Sequence, residues 1–169
     1  VLVYGTFGLL DDLIDIGRKM KVIAPFFMAL PIALVVTDTS ISLGFTTLEI
    51  GLFALYITSP LYIMIVSNLL NMHEGYNGLG TGLSILLMLF IGAKLALDGN
   101  YDLLPYLFPI LAVSLAFMYY NKYPSVIFLG NSGTLLLGSA VGALLVFFNM
   151  ELFGIVILLP HIINFLLWC

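Results

Sequence analysis

The sequence predicts an all-α, polytopic transmembrane helical bundle, and three observations carry that reading. Hydrophobic residues make up 62% of the chain and charged residues only 8%, with a mean hydropathy of +1.19, far outside the range of a water-soluble domain. Apolar runs approaching the roughly 20 residues that a spanning helix needs recur along the chain. These runs are continuous and rich in Leu, Ile, Phe and Met, without the short alternating segments of a β-barrel. About six complete spans plus one truncated N-terminal span are expected, in a single transmembrane domain over residues 1–169. The single Cys169 excludes an internal disulfide framework.

Residues 1–10 are apolar but about half a span long, and they run into Asp11 with no initiating Met, so they read as a helix cut short. Residues 22–36 form the first complete span, which Pro25 and Pro31 should bend. A polar link around Glu49 leads to the second, residues 50–66. The third, 83–97, closes in the turn-forming DGNYD at residues 98–102. The fourth covers 103–120, the fifth 134–148 and the sixth 152–168. Small residues at Gly138, Ser139, Ala140, Gly142 and Ala143 suit close helix packing.

Each complete span carries the chain across the bilayer, so parity sorts the polar segments. DDLIDIGRKMK (11–21), NLLNMHEGYNGL (68–79) and NKYPSVIFLGNSG (121–133) fall on one side, and residues 37–49 and 98–102 on the other. Arg18, Lys19, Lys21 and Lys122 share the first side, which the positive-inside rule assigns to the cytosol. Lys94 lies near the far face, where its stem can snorkel. The acids of the far side are Asp38, Glu49, Asp98, Asp102 and Glu151, whereas Asp11, Asp12, Asp15 and Glu74 belong to the polar segments themselves. An integral membrane protein with a cytosol-facing site is expected, with the bilayer as partner and no nucleic acid.

The chemistry open to these segments is that of charge and phosphate. Asp11 and Asp12 are adjacent carboxylates at a helix end, which repel unless a cation or a shared proton relieves them, and so suit a metal, a general base or both. Asp15, four residues after Asp11, shares its face if the helix continues. Lys21 follows Asp11 by close to a multiple of the helical period and would neutralise phosphate charge. Interfacial solvation is the alternative role for such acids and bases. Asn68 and Asn71 share a helix face, and the glycines of EGYNGLGTG permit close backbone approach to a ligand before a helix starting at Thr81. GNSG places Asn131 at a helix N-terminus, where anions are favoured. His73 and His161 are distant in sequence and lack a Cys ligand nearby, so no zinc site is expected.

Together, in order and spacing, the three segments resemble the polyprenyl-phosphate N-acetylhexosamine-1-phosphate transferase family. They are most similar to its dolichyl-phosphate GlcNAc-1-phosphate transferase branch in archaea and eukaryotes, and LPHIINFL at residues 159–166 resembles that branch's MPQVFNFL. The resemblance covers nearly the whole chain and implies a fragment of a larger bundle of about ten membrane helices. It implies Mg²⁺-dependent transfer of GlcNAc-1-phosphate from UDP-GlcNAc to a polyprenyl or dolichyl phosphate with release of UMP, the first step of lipid-linked oligosaccharide assembly for protein N-glycosylation. Mn²⁺ is the alternative ion and a homodimer the alternative to a monomer. The membrane would be the plasma membrane of a prokaryote or the endoplasmic reticulum of a eukaryote.

By matching position the resemblance makes Asp11, Asp12 and Lys21 catalytic, and Asn71 and Asn131 metal ligands. Asp15, Asn68, Gly75, Asn77 and Phe128 become substrate-binding residues, with Gly75 and Asn77 holding uracil and Phe128 stacking on it. Asn131 stands where the family usually has an Asp, so both metal ligands are uncharged amides, which bind Mg²⁺ through oxygen but add no negative charge. A single displacement on the β-phosphorus is expected, with an aspartyl-phosphate intermediate as the rival course. Two other functions remain open on the sequence: a catalytically impaired binding homologue, and an ion or solute transporter fragment.

Overall fold

The computed structural model describes every residue except 37, 38, 43–45, 74 and 169, and for Ser42 and Trp168 the backbone alone. Asp38, Glu74 and Cys169, each given a place by the sequence, lie outside the described residues. Helices dominate, in the order α1 (Leu2–Ile14), α2 (Met20–Ala33), α3 (Gly51–Asn71), α4 (Leu79–Leu97), α5 (Leu104–Asn121), α6 (Gly130–Phe147), α7 (Glu151–Ile157) and α8 (Leu159–Trp168). A turn of 3-10 helix, Tyr101–Leu103, precedes α5.

Among the described residues, four stretches are long and apolar enough to cross a membrane: α3, α4, Tyr101–Asn121 and α6. They match the second to fifth expected spans. The first expected span is a helix of 14 residues with Pro25 and Pro31 inside it. The sixth is broken at Leu158 into α7 and α8. Pro160 follows the break, and its missing N–H removes a donor that a continuous helix would need there. The polar link before α3 is a small antiparallel hairpin, β1 (Ser40–Ser42) with β2 (Thr47–Glu49), in the register Ser40 to Glu49 and Ser42 to Thr47. No alternation long enough to announce it exists in two strands of three residues.

Helix α6 is the centre of the bundle. Of its apolar window 61% is buried, against 11% for the stretch containing α5, so α6 is surrounded by protein while α5 shows most of its surface outward. Between helices in lipid the attraction is close van der Waals packing, which small residues permit. Gly138 of α6 lies against the backbone of Ser67, and Gly142 against Ile63, both on α3. On the opposite flank Gly8 of α1 meets the backbone of Asn131 so closely that a Cβ there would fall 2.3 Å from the Asn131 carbonyl oxygen.

The buried positions of α1, namely Tyr4, Gly5, Phe7, Gly8 and Asp11, recur at helical spacing and form one stripe. Asp11 is therefore carried inward as the last member of a packing face. Tyr4, Phe7, Ala29, Leu55, Ile63, Leu135 and Val146 join α1, α2, α3 and α6 in one apolar cluster. A second cluster, including Met88, Ile91, Leu95, Leu107, Val141 and Leu145, joins α4 and α5 to α6. The Tyr4 hydroxyl donates to the Pro25 carbonyl at 2.5 Å, fastening α1 to α2.

Replacing Gly8 by Val should force α1 away from the start of α6 and cost about 1–3 kcal/mol or more, the usual range for overpacking. Thermal unfolding of the detergent-solubilised protein is the check, with Gly17→Val, where a Cβ meets nothing within 4 Å, as the control expected to leave the α1–α6 contact intact.

Candidate active site at the junction of three polar segments

Adjacent acids at the end of α1 point to different partners. Asp11 is 4% exposed. Its Oδ1 accepts the Ile16 backbone N–H at 2.9 Å, and its Oδ2 lies 2.9 Å from the Lys21 ammonium. That second contact is an ion pair rather than an aligned hydrogen bond, because Oδ2 is buried without a directed donor. Lys21 also approaches Asp15 at 3.7 Å, but the Asp15 side chain is 98% exposed, so water screens that pairing.

Asp12 turns toward α6. Its Oδ1 accepts the Asn131 N–H at 3.0 Å and its Oδ2 accepts the Ser132 N–H at 3.1 Å. The residue that should cap α6, Leu129, offers no side-chain cap. Asp12 supplies the cap from another helix, placing a negative charge on the positive end of the α6 dipole. Gly130, at φ +62°, packs against the same carboxylate, and a Cβ there would sit 2.8 Å from Oδ2. The Ser132 hydroxyl donates to the Gly5 carbonyl at 3.0 Å, a second tie between α1 and α6.

The Asn68–Thr81 region joins through Thr134 of α6, which is buried and whose hydroxyl contacts Asn71 Oδ1 and the Gly130 carbonyl. One hydroxyl proton serves only one of them. When it donates to Gly130, the Asn71 amide satisfies Thr134 by turning its NH₂ inward, which aims its oxygen outward. Asn68 shares the face of Asn71, and its amide donates to the Met64 carbonyl at 2.9 Å. A further tie runs from α4: the Thr81 hydroxyl donates to Asn121 Oδ1 at 2.7 Å, and the Asn121 amide donates to the Ile127 carbonyl at 2.8 Å. Asn121 is 2% exposed and anchors the start of the segment that leads to Asn131.

The three polar segments therefore meet, as their order along the chain requires. The details depart from expectation in three ways. Helix α1 ends before Asp15, which adopts φ 47° as its C-cap, so Asp15 does not share the Asp11 face. Lys21 reaches Asp11 across the turn between α1 and α2, not along a continuous helix. Helix α4 starts at Leu79, after Gly78 at φ 71°, rather than at Thr81. Gly75, Asn77 and Phe128 are exposed and Asn131 is half-buried. Thr81, Asn121, Ser132 and Thr134 received no role from the sequence. Their signal was present only as hydroxyls and an amide at the ends of apolar helices, where such groups need partners.

Next to this junction lies an apolar cleft of about 620 Å³ between α2, α3 and α8. Its lining is apolar, from Val22, Met64, Ile65, Leu69, Met72, Ile162, Phe165 and Leu166, except for Asn68 and Asn71. Lys21 immediately precedes Val22.

Among the described residues no three His, Cys, Asp or Glu side chains cluster as a metal set. The donors present are oxygens: the amides of Asn71 and Asn131, and Asp11 Oδ2, buried without a directed donor. All-oxygen donors of this kind fit a hard cation such as Mg²⁺.

Residues 1–149 match the family described as glycosyl transferase family 4. The chain is 33% identical over 168 residues to a Saccharolobus solfataricus protein provisionally named UDP-N-acetylglucosamine–dolichyl-phosphate N-acetylglucosaminephosphotransferase, covering 95% of the chain and 51% of that protein. It is 30% identical over 167 residues to the phospho-N-acetylmuramoyl-pentapeptide-transferase of Petrotoga mobilis, covering 91% and 52%. The chain spans about half the length of the curated relatives it matches.

Removal of the Asp12 cap by Asp12→Ala should lower stability by about 1–2 kcal/mol, read from denaturant unfolding in micelles. Asp15→Ala should change it by less than about 0.5 kcal/mol, as for an exposed group.

Proposed function

The chain belongs to glycosyl transferase family 4, and on that premise we propose that it carries the phosphate-handling core of a phosphosugar transferase. The reaction is transfer of GlcNAc-1-phosphate from UDP-GlcNAc to a polyprenyl or dolichyl phosphate, with UMP as the leaving group. The bundle crosses the membrane six times after its first helix, with the junction of polar segments facing the cytosol, the side on which Arg18, Lys19, Lys21 and Lys122 gather.

One observation supports this reading above the others: the apolar cleft carries the amides of Asn68 and Asn71 in its lining. A polyprenyl chain is apolar and its phosphate anionic, and the cleft offers apolar walls with two amides among them. The lipid lies against Met64, Ile65, Leu69, Phe165 and Leu166, and its phosphate reaches Asn68, Asn71 and Lys21. Asp11 holds the Lys21 ammonium in position. When a phosphate arrives, the ammonium is shared between carboxylate and phosphate, with Asp11 keeping it aimed.

A lipid phosphate oxygen attacks the β-phosphorus of UDP-GlcNAc, and the bond from that phosphorus to the UMP oxygen breaks. Lys21 offsets charge on the diphosphate as it moves to the leaving UMP. Asp11 Oδ2, which faces Lys21 but receives no directed donor, is the carboxylate oxygen that would accept a proton from the lipid phosphate, whereas both oxygens of Asp12 receive backbone N–H groups of α6. Asn71 and Asn131 would hold Mg²⁺, which when bound supplies Lewis-acid stabilisation of the diphosphate. Gly75, Asn77 and Phe128, exposed around the junction, receive the uridine, and Asp15 lies at its solvent edge.

In assays of the full-length protein, Lys21→Met should reduce turnover by about a hundredfold or more, the usual scale for one electrostatic group at the reacting centre. Ile65→Trp should raise KM for long polyprenyl phosphates while leaving KM for UDP-GlcNAc unchanged. Equal effects on both substrates would remove the cleft from the lipid path. Asn131→Asp, which adds a negative charge to the proposed cation site, should lower the Mg²⁺ concentration needed for half-maximal rate. An unchanged Mg²⁺ requirement would take Asn131 out of the ligand set.

A further inference from the structure

The sequence separates His73 and His161, but the fold brings their rings to a centroid distance of 4.5 Å, edge to face, where the end of α3 meets α8. We propose that His73, His161 and Asn164 form a binding site for a d-block divalent cation, independent of the phosphate-handling residues. His73 follows Asn71 by two residues, close to half a helical turn, so the two side chains face different neighbours. Asn71 meets Thr134 of α6, whereas His73 meets α8.

The ring chemistry is that of a ligand pair. His73 Nδ1 lies 3.1 Å from the Leu69 carbonyl, which can only accept, so the proton sits on Nδ1 and Nε2 keeps its lone pair. Metal-bound imidazoles commonly donate their other N–H to a backbone carbonyl in this way. That Nε2 faces Asn164 at 3.4 Å, long for a hydrogen bond. His161 is 3% exposed, and both of its ring nitrogens are buried without a hydrogen-bond partner among the described residues. An imidazole nitrogen so placed wants a donor or a cation. His161 and Asn164 are three residues apart on α8 and share a face, so an amide oxygen joins the two nitrogens once the amide is turned. A separate hollow of about 320 Å³, bounded by Met72, His73, Tyr76, Leu79 and Asn164, opens onto two of the three ligands, with His161 buried behind them. Two nitrogens, one oxygen and water suit Zn²⁺, Co²⁺ or Ni²⁺ and not Mg²⁺.

The experiment is Co²⁺ titration of the chelator-stripped, full-length protein in micelles, with excess Mg²⁺ filling oxygen-ligand sites. Visible absorption of bound Co²⁺ is the readout, and Zn²⁺ is the competitor. The expected result is a saturable Co²⁺ spectrum displaced by Zn²⁺, lost in His161→Phe and in His73→Phe. Asn164→Asp keeps both rings and adds charge, so it should tighten Co²⁺ binding whether or not the His variants fold. No Co²⁺ spectrum in the parent, equal spectra in the parent and folded His variants, or unchanged affinity in Asn164→Asp overturns the site. None of these readouts depends on transferase activity.

Discussion

The arrangement depends on one interaction, the grip of the Asp12 carboxylate on the Asn131 and Ser132 N–H groups in the first turn of α6. A helix start leaves its first N–H groups without intrahelical partners, and the local sequence at Leu129 provides no cap. By taking the cap from α1, the fold makes the placement of Asn131 a consequence of the placement of Asp12. Because α6 is also the most enclosed helix, packed on α3 through Gly138 and Gly142, the same grip transmits to Asn71 through Thr134.

The adjacency of Asp11 and Asp12 gains its meaning from this division. Two neighbouring carboxylates would repel if they shared one environment. Here one faces the interior and a lysine, and the other faces a helix dipole. Each carboxylate has its own partners: the Ile16 N–H and Lys21 for Asp11, and the first-turn N–H groups of α6 for Asp12. One acid thus holds the backbone at the start of α6, and the other, buried, holds the Lys21 ammonium.

Much of this was legible before the fold. The apolar runs announced the four long helices, and the order of the polar segments announced their meeting, because parity depends only on counting spans. Small residues in α6 announced its close packing against a neighbour, seen at Gly138 and Gly142. What escaped had physical reasons. Asp15 looked like a helix neighbour of Asp11, but nothing in the pattern marks a C-cap when the capping residue is not Gly, and it takes φ 47°. Asn68 and Asn71 lie in α3, which runs to Asn71 rather than stopping near Val66, since polar residues continue a helix when another helix supplies their partners. The hairpin at Ser40–Ser42 and Thr47–Glu49 was too short for a period of two to register. The meeting of His73 with His161 and the tie from Thr81 to Asn121 are long-range contacts set by how helices pack, for which a single sequence holds no local signal.

The central claim is that the three polar segments together move a phosphosugar, with its phosphate, onto a lipid phosphate. It is tested most directly by following UDP-GlcNAc labelled at the β-phosphorus with the full-length protein and polyprenyl phosphate. The account predicts that the label enters extractable lipid together with the sugar, and that one UMP forms for each lipid product. Sugar entering lipid while the labelled phosphorus stays in released UDP, or no label in lipid at all, would contradict it.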